Sequence, residues 1–301
     1  MSIAPYLKEI GRGKQGARSL RREQAADLFG QVLDGAVTDL EIGAFCIAMR
    51  IKGETPQEMA GFIDATYARL NRVPSSGKPV VVLPSYNGAR KLPVLTPLLA
   101  LLVARQGLPV LIHGTATESS RVFVPQVLQA LGIAALPSIR AVMPGEAAFA
   151  PTELLCPGLK RLLDVRLSVG LRNSSHSLVK LMNPCAGPAV IVSSYTHPEY
   201  AVSMGVVLEL MGATALLLRG TEGEVVADAR RLPQMDGFIA GRHVPLEQKQ
   251  PGTIADLPGL PKEIDAQSTA AYIQEVLAGD RPVPASMALQ VEHILQLAES
   301  L

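Results

Sequence analysis

The chain is poor in the residues that mark most specialised folds. Tryptophan is absent and aromatics are only 4% of the 301 residues. Leucine, valine, alanine and isoleucine therefore have to fill the interior, and extensive stacking of rings on nucleic-acid bases is disfavoured. The three cysteines, Cys46, Cys156 and Cys185, are far apart, odd in number and form no CxxC pair. That argues against a disulfide framework and a zinc site and fits reduced thiols in a cytosol. Long hydrophobic runs are missing as well. The longest, near Val94 to Val103, is broken by Pro93 and Pro97 and falls short of a membrane span. The first 30 residues are basic and polar, without the apolar core of a signal peptide. A cytoplasmic protein without membrane contact is expected. GxGxxG, Walker and HExxH motifs are absent, and no Ser/His/Asp arrangement has supporting context.

What is present is apolar and unevenly charged. Hydrophobic residues are 48% and charged residues 18%, enough for a real core and too few charges for a disordered chain. The net charge of +1 indicates no polyanion partner by itself. Its distribution says more. Residues 1–22 carry six basic residues (Lys8, Arg12, Lys14, Arg18, Arg21, Arg22) against Glu9. Residues 158–182 carry five (Lys160, Arg161, Arg166, Arg172, Lys180) against Asp164. Residues 246–301 carry three against eight acids. Such a chain presents a basic face if folding gathers the clusters, and a scatter of solvated cations if it does not.

Residues 1–72 read as helices. Leu20, Ala25, Leu28, Phe29, Val32 and Leu33 recur at helical spacing up to Gly35. Thr38 with Glu41 and Thr55 with Glu58 are capping boxes that open two further helices, and Gly53 ends the first of these. A turn-rich stretch at 73–79 follows. Thereafter strands at Pro79–Leu83, Leu108–His113, Ala189–Ser193 and Ala215–Arg219 alternate with helices at Pro97–Arg105, Val122–Leu131 and Glu199–Met211. That rhythm implies a mostly parallel sheet with helices on both faces. Residues 158–182 interrupt it with polar helical sequence. The expected fold is α/β: a small helical bundle domain at 1–72, and a larger α/β domain at 78–157 and 185–301.

In such a sheet ligands sit at the carboxyl ends of strands. The loop after the first strand, Pro84-Ser-Tyr-Asn-Gly-Ala-Arg-Lys91, joins a tight Asn87-Gly88 turn to Arg90 and Lys91. It is a candidate anion cradle and also reads as an ordinary turn. The next loop holds His113, more often structural than catalytic in such a position, and Ser119, which with Ser120 is placed to cap a helix. Glu222 and Glu224, beside glycines, are candidate Mg²⁺ ligands or a solvated acidic turn.

The segment Asp39-Leu-Glu-Ile-Gly-Ala-Phe-Cys-Ile-Ala-Met-Arg-Ile-Lys-Gly-Glu-Thr-Pro-Gln-Glu-Met-Ala-Gly61 resembles the N-terminal helical domain of anthranilate phosphoribosyltransferase and its relatives, the nucleoside phosphorylases. His113-Gly114, Phe149-Ala150-Pro151, Val165-Arg166 with Gly170 and Arg172, and Asn183-Pro184 agree, so the resemblance spans roughly residues 15–240. It implies that residues near 158–182 return to the helical domain, and that the protein is a homodimer through that domain. The family uses phosphoribosyl pyrophosphate with Mg²⁺. Its Gly-Thr-Gly-Gly-Asp loop is here Tyr86-Asn87-Gly88-Ala89-Arg90. Its Asn-Ile-Ser-Thr keeps only Thr96, and its Lys-His-Gly-Asn is Ile112-His113-Gly114-Thr115. Its acidic metal pair falls near Val225 and Val226, while Arg166 matches the arginine that contacts anthranilate.

The loop Pro-Ser-Tyr-Asn-Gly-Ala-Arg-Lys is also similar to the divergent YbiB-like branch of this family, which implies dimeric, sequence-independent DNA binding without the biosynthetic activity. Two readings follow. In the first, Lys14, Arg18, Arg21, Arg22, Lys160, Arg161, Arg166, Arg172 and Lys180 contact the phosphates of DNA or RNA. Asn87, Gly88, Arg90, Lys91, His113, Ser119 and Arg166 form an anion site, with no catalytic residue, metal or cofactor. In the second, the chain is a phosphoribosyltransferase for an unidentified base-like acceptor and requires Mg²⁺ and phosphoribosyl pyrophosphate.

Overall fold

The computed structural model describes residues 2–13, 15–254, 257 and 259–301. Helices α1 (Ala4–Ile10), α2 (Arg22–Leu33), α3 (Asp39–Lys52) and α4 (Pro56–Tyr67) form the bundle at the start of the chain. Both capping boxes form. Thr38 Oγ1 accepts the Glu41 N–H at 3.3 Å and Glu41 answers by accepting the Thr38 N–H at 2.9 Å. Thr55 and Glu58 repeat the exchange at 3.2 and 2.9 Å. Phe29 stacks on Phe62 at 4.6 Å, and Phe45 meets both edge-on, so three rings fill the bundle centre. Gly61 lets α4 cross α2 closely, because a β-carbon there would lie 2.2 Å from the Arg22 carbonyl oxygen.

The remaining elements in chain order are β1 (Val80–Ser85), α5 (Thr96–Arg105), β2 (Val110–Gly114), α6 (Val124–Ala130), β3 (Ala147–Pro151), α7 (Thr152–Leu155), α8 (Pro157–Val169) and α9 (Ser175–Leu178). They continue with β4 (Ala189–Tyr195), α10 (Pro198–Leu210), β5 (Ala215–Arg219), β6 (Met235–Ile239), β7 (Arg242–Glu247), α11 (Ala266–Ala278) and α12 (Ala285–Glu299). The seven strands form one sheet in the order β3-β2-β1-β4-β5-β6-β7. The first five are mutually parallel, and β6 and β7 close the sheet antiparallel. Strand residues alternate between two apolar layers. Val80, Val82, Ile191 and Leu217 join the core shared with the bundle, whereas Val81, Leu83, Val192 and Leu218 join α5, α11 and α12 on the opposite face.

Two differences from the expected elements have physical causes. Pro84 and Ser85 remain in β1, paired with His113 and Gly114 of β2. Pairing with β4 has already ended at Val82, so the missing Pro84 N–H interrupts no ladder on that side. Strands β3, β6 and β7 carry weak strand signals: β3 is alanine-rich, and β7 lies at the edge with Arg242, His243 and Pro245 exposed. The segment 158–182 folds as α8 and α9, and α8 lies against α2, where Arg161 donates to the Leu33 carbonyl at 2.9 Å. Two of the chain's crossings between bundle and sheet run side by side through Val73 and residues 184–186. All three cysteines are free and buried. Among the described residues no helix is long and apolar enough to cross a membrane.

One buried charge pair fastens the bundle. Glu58 has no exposed surface and receives Lys52 Nζ at 2.7 Å, the Leu20 N–H at 2.9 Å and the Thr55 N–H at 2.9 Å. Glu58→Ala leaves the Lys52 ammonium without a carboxylate, holding only the Gly53 carbonyl, and strands two amides in a dry site. It should cost about 3–5 kcal/mol, read as a shift of the urea midpoint. A loss within about 0.5 kcal/mol, the usual scatter for surface sites, would contradict this role.

Candidate functional site

The chain runs outward from β1 to β2 and β3 and then returns to β4 on the other side of β1. The loops after β1 and β4 therefore flank the crevice where ligands enter open α/β sheets. The loop after β5 adjoins them.

The loop after β1 has the geometry of an anion nest, and the chain's own carboxylates occupy it. The N–H groups of Asn87 and Gly88 both donate to Glu224 Oε1 at 2.8 Å, and the Thr96 hydroxyl donates to Glu224 Oε2 at 3.0 Å. The N–H groups of Arg90, Lys91 and Leu92 donate to Glu222 at 2.7, 3.0 and 3.3 Å. Gly88 has a φ of +67°, and a β-carbon there would lie 2.7 Å from the Val122 oxygen, so glycine is required for the turn. Asn87 Nδ2 also holds the Glu222 carbonyl at 3.1 Å, and Arg121 holds the Asn87 carbonyl at 3.0 Å. The side chains of Arg90 and Lys91 point into solvent and have no carboxylate partner among the described residues.

These groups do not fit Mg²⁺ with pyrophosphate. Val225 and Val226 are buried apolar side chains with no oxygen to offer. Glu222 and Glu224, the other candidate ligands, spend their oxygens on main-chain amides and the Thr96 hydroxyl. Among the described residues no three His, Cys, Asp or Glu side chains are grouped to hold a metal ion.

His113 is a structural histidine. It is fully buried, and its Nδ1 lies 2.8 Å from the Tyr86 hydroxyl, which also contacts Thr152 Oγ1 at 3.0 Å. Burial pulls its pKa down to about 3. Ser119 sits exposed in a turn before α6.

The cationic candidates divide into two groups. Arg166, Arg172 and Lys180 come together between α8, α9 and the strand ends, joined by Arg50 and Arg121. Arg166 and Arg121 share Glu118. Burial lowers the Arg172 pKa, and the neighbouring Arg166, Arg121 and Arg50 add to the effect. His176 is pulled down to about 3 by burial and then by Arg172, Arg166 and Lys180. Burial brings Lys180 down to about 8 against the opposing pull of Glu224, and its Nζ donates to the Gly223 carbonyl at 2.9 Å. Arg50, Arg172, His176 and Lys180 line a cleft of about 400 Å³ between the α3–α4 turn and the start of α10. The single acid in its wall, Glu54, is hydrogen-bonded to Ser174.

The second group stays apart and is largely neutralised. Arg22 makes a two-pronged pair with Asp64 at 2.6 and 2.8 Å, Lys160 pairs with Asp164 at 2.5 Å, and Arg18 lies 3.8 Å from Glu9. Arg161 is held by the Leu33 carbonyl beside Asp34. Arg21 is exposed without a carboxylate partner among the described residues, and Lys14 lies outside them. Sequence reasoning missed Arg50 and Arg121. Each stands singly in the sequence, and only the fold brings it to the cluster.

Residues 4–69 match the model of the glycosyl transferase family helical bundle domain. The chain is 40% identical to the Escherichia coli (strain K12) protein YbiB, over 97% of this chain and 92% of that one. It is 26% identical to an anthranilate phosphoribosyltransferase of Beijerinckia indica, over 95% of this chain and 84% of that one. Among solved structures it superposes on anthranilate phosphoribosyltransferase from Thermus thermophilus with a TM-score of 0.73 at 23% identity, covering 98% and 94% of the two chains. The Saccharomyces cerevisiae enzyme in complex with phosphoribosyl pyrophosphate and Mg gives a TM-score of 0.72 at 13% identity, covering 99% and 88%.

The two buried histidines set a pH dependence. Unfolded imidazoles take up a proton near 6.5, whereas His113 and His176 stay neutral in the fold down to about 3. Stability is therefore whole above 6.5 and falls as pH drops through that window, by about 1.4 kcal/mol per pH unit for each ring. Urea midpoints between about pH 7 and about pH 5 should show the decline, and His113→Gln should halve its slope. A flat profile would contradict the neutral assignment.

Proposed function

The chain belongs to the anthranilate phosphoribosyltransferase-like superfamily, in its YbiB-like branch, and on that footing we propose that it is a dimeric, catalytically degenerate member that binds nucleic acid through phosphates without reading sequence. One observation carries the proposal: the cleft at the switch point is lined by Arg50, Arg172 and Lys180 against one acid already engaged by Ser174. Its cations are mutually repelling and under-neutralised, which is the condition that an arriving phosphate relieves. Exposed Arg90 and Lys91, on the loop after β1, are further cations open to phosphate. The expected nucleic acid is DNA or RNA, since phosphate contacts carry no base information. No metal or cofactor is needed.

The second copy is assigned to α3. Leu40 is 83% exposed and Ile51 60%, with Ile47 between them on the same stripe of the helix. An apolar stripe of this kind on a water-facing surface marks a partner site. Leu40→Asp with Ile51→Asp should give a monomer in sedimentation. The affinity for a long duplex should fall about 10²-fold or more, because paired sites reinforce each other. A double variant that stays dimeric removes α3 as the interface.

Binding should weaken steeply with salt, with a log–log slope of about −0.9 for each neutralised phosphate on duplex DNA. Arg172→Glu should reduce affinity for unrelated sequences equally and flatten that slope by about one unit. A slope near zero in a fluorescence titration sinks the polyanion reading. The other reading, Mg²⁺-dependent phosphoribosyl transfer, is favoured by the near-complete superposition on the transferases. Calorimetry with phosphoribosyl pyrophosphate and Mg²⁺ separates the two. Saturable heat supports the transferase, and none is expected while Glu222 and Glu224 fill the amides.

A further inference from the structure

We propose that Lys180 is a carbonyl-capturing residue, forming an imine with a phosphate-bearing aldehyde that docks in the cleft between the α3–α4 turn and the start of α10. The inference shares this cleft with the nucleic-acid reading but does not rest on it.

Several features of the cleft wall converge. Lys180 is partly exposed there, on the segment between α9 and β4. Its Nζ donates to the carbonyls of Gly223 at 2.9 Å and Ser194 at 3.4 Å. These two oxygens orient the nitrogen without neutralising it, and they leave its remaining valence to the cleft. Arg50 and Arg172 stand in the same wall without a carboxylate partner among the described residues, which suits a phosphate. His176 is 6% exposed and borders the cleft, and its Nε2 has no hydrogen-bond partner. Met59 and Val207 offer apolar surface to the body of a ligand. A cleft of about 400 Å³ is within the range of small-molecule sites.

The reactivity of the lysine follows from these surroundings. An ammonium group stripped of water and set beside other cations gives up its proton readily, and the neutral amine is the nucleophile. Burial is the main cause here. Glu224 opposes it, Arg172 adds to it, and Lys180 comes to about 8. The amine lone pair attacks the aldehyde carbon and gives a carbinolamine. The carbonyl oxygen then leaves as water with both protons of the nitrogen, and a C=N bond remains. No oxidant, reductant or metal enters the balance. The ring of His176 stays uncharged, so its Nε2 is free to hydrogen-bond the ligand.

The test incubates the full-length chain with pyridoxal 5′-phosphate at about pH 8, where roughly half of Lys180 is neutral. Sodium borohydride then reduces the imine, and peptide mass spectrometry maps the adduct. Lys180 should be modified at least about tenfold faster than the exposed Lys91 and Lys249. Pyridoxal, which lacks the phosphate, should modify it at least about tenfold more slowly. Lys180→Arg keeps the charge and should abolish the fast adduct, and the wild-type map carries the test if that variant does not fold. A DNA duplex with one abasic site, whose opened sugar is an aldehyde flanked by phosphates, is trapped in parallel. A borohydride-stable crosslink at Lys180 assigns the aldehyde to a polymer, and an adduct with the small molecule alone assigns it to a free metabolite. Lys180 left unmodified by both, modified no faster than Lys91 and Lys249, or indifferent to the phosphate overturns the proposal.

Discussion

Five backbone N–H groups at the carboxyl end of β1 have to find acceptors, and the rest of the crevice is arranged around how they do so. In this chain the acceptors come from Glu222 and Glu224. The choice ties the loop after β5 to the loop after β1 across the intervening β4. It also fixes the Gly223 carbonyl where the Lys180 ammonium and the Ser194 hydroxyl reach it, at 2.9 Å each. The carboxylate-bearing loop after β5, Lys180 after α9 and Ser194 of β4 thus form one connected polar unit where a ligand would otherwise enter. A half-satisfied network would be costly at this depth, so sequence change at one member constrains the others.

The cations show the reverse pattern. Where an acid is near, the arginines of the bundle are consumed locally, as in Arg22 with Asp64 and Arg69 with Asp34. Where α8 and α9 meet the strand ends, four arginines and a lysine gather about Glu118 and Glu54, with Glu224 pulling on the lysine alone. The chain is nearly neutral overall, so the positive character of the cleft comes from placement rather than composition.

What was legible in the sequence was local. Thr38 with Glu41 and Thr55 with Glu58 are capping signals separated by three residues, and both formed. The strands that became β1, β2, β4 and β5 are continuous apolar runs, as buried parallel strands must be. β3 and β6, Ala-Ala-Phe-Ala-Pro and Met-Asp-Gly-Phe-Ile, lack β-branched density and become strands only by pairing with β2 and β5. The site was legible in its parts and not in its connections. The loop Asn87-Gly88 was recognisable as a candidate anion cradle, and Glu222 and Glu224 as candidate Mg²⁺ ligands or a solvated acidic turn. That each satisfies the other depends on amides about 130 residues away, which no spacing rule reaches. The pairing of Arg166 with Glu118, 48 residues apart, was hidden for the same reason.

The two borders of the sheet are blunted in different ways. β7 presents Arg242, His243 and Pro245 on its open side, and the proline removes a donor from that rim. At the far border, Ala135 bridges to Phe149 of β3 and Leu136 donates to the Phe149 carbonyl at 2.8 Å, so a strip of loop covers part of the rim. A second chain has no clean ladder to extend at either side. Edge-to-edge strand addition is thereby disfavoured at both borders of the folded protein.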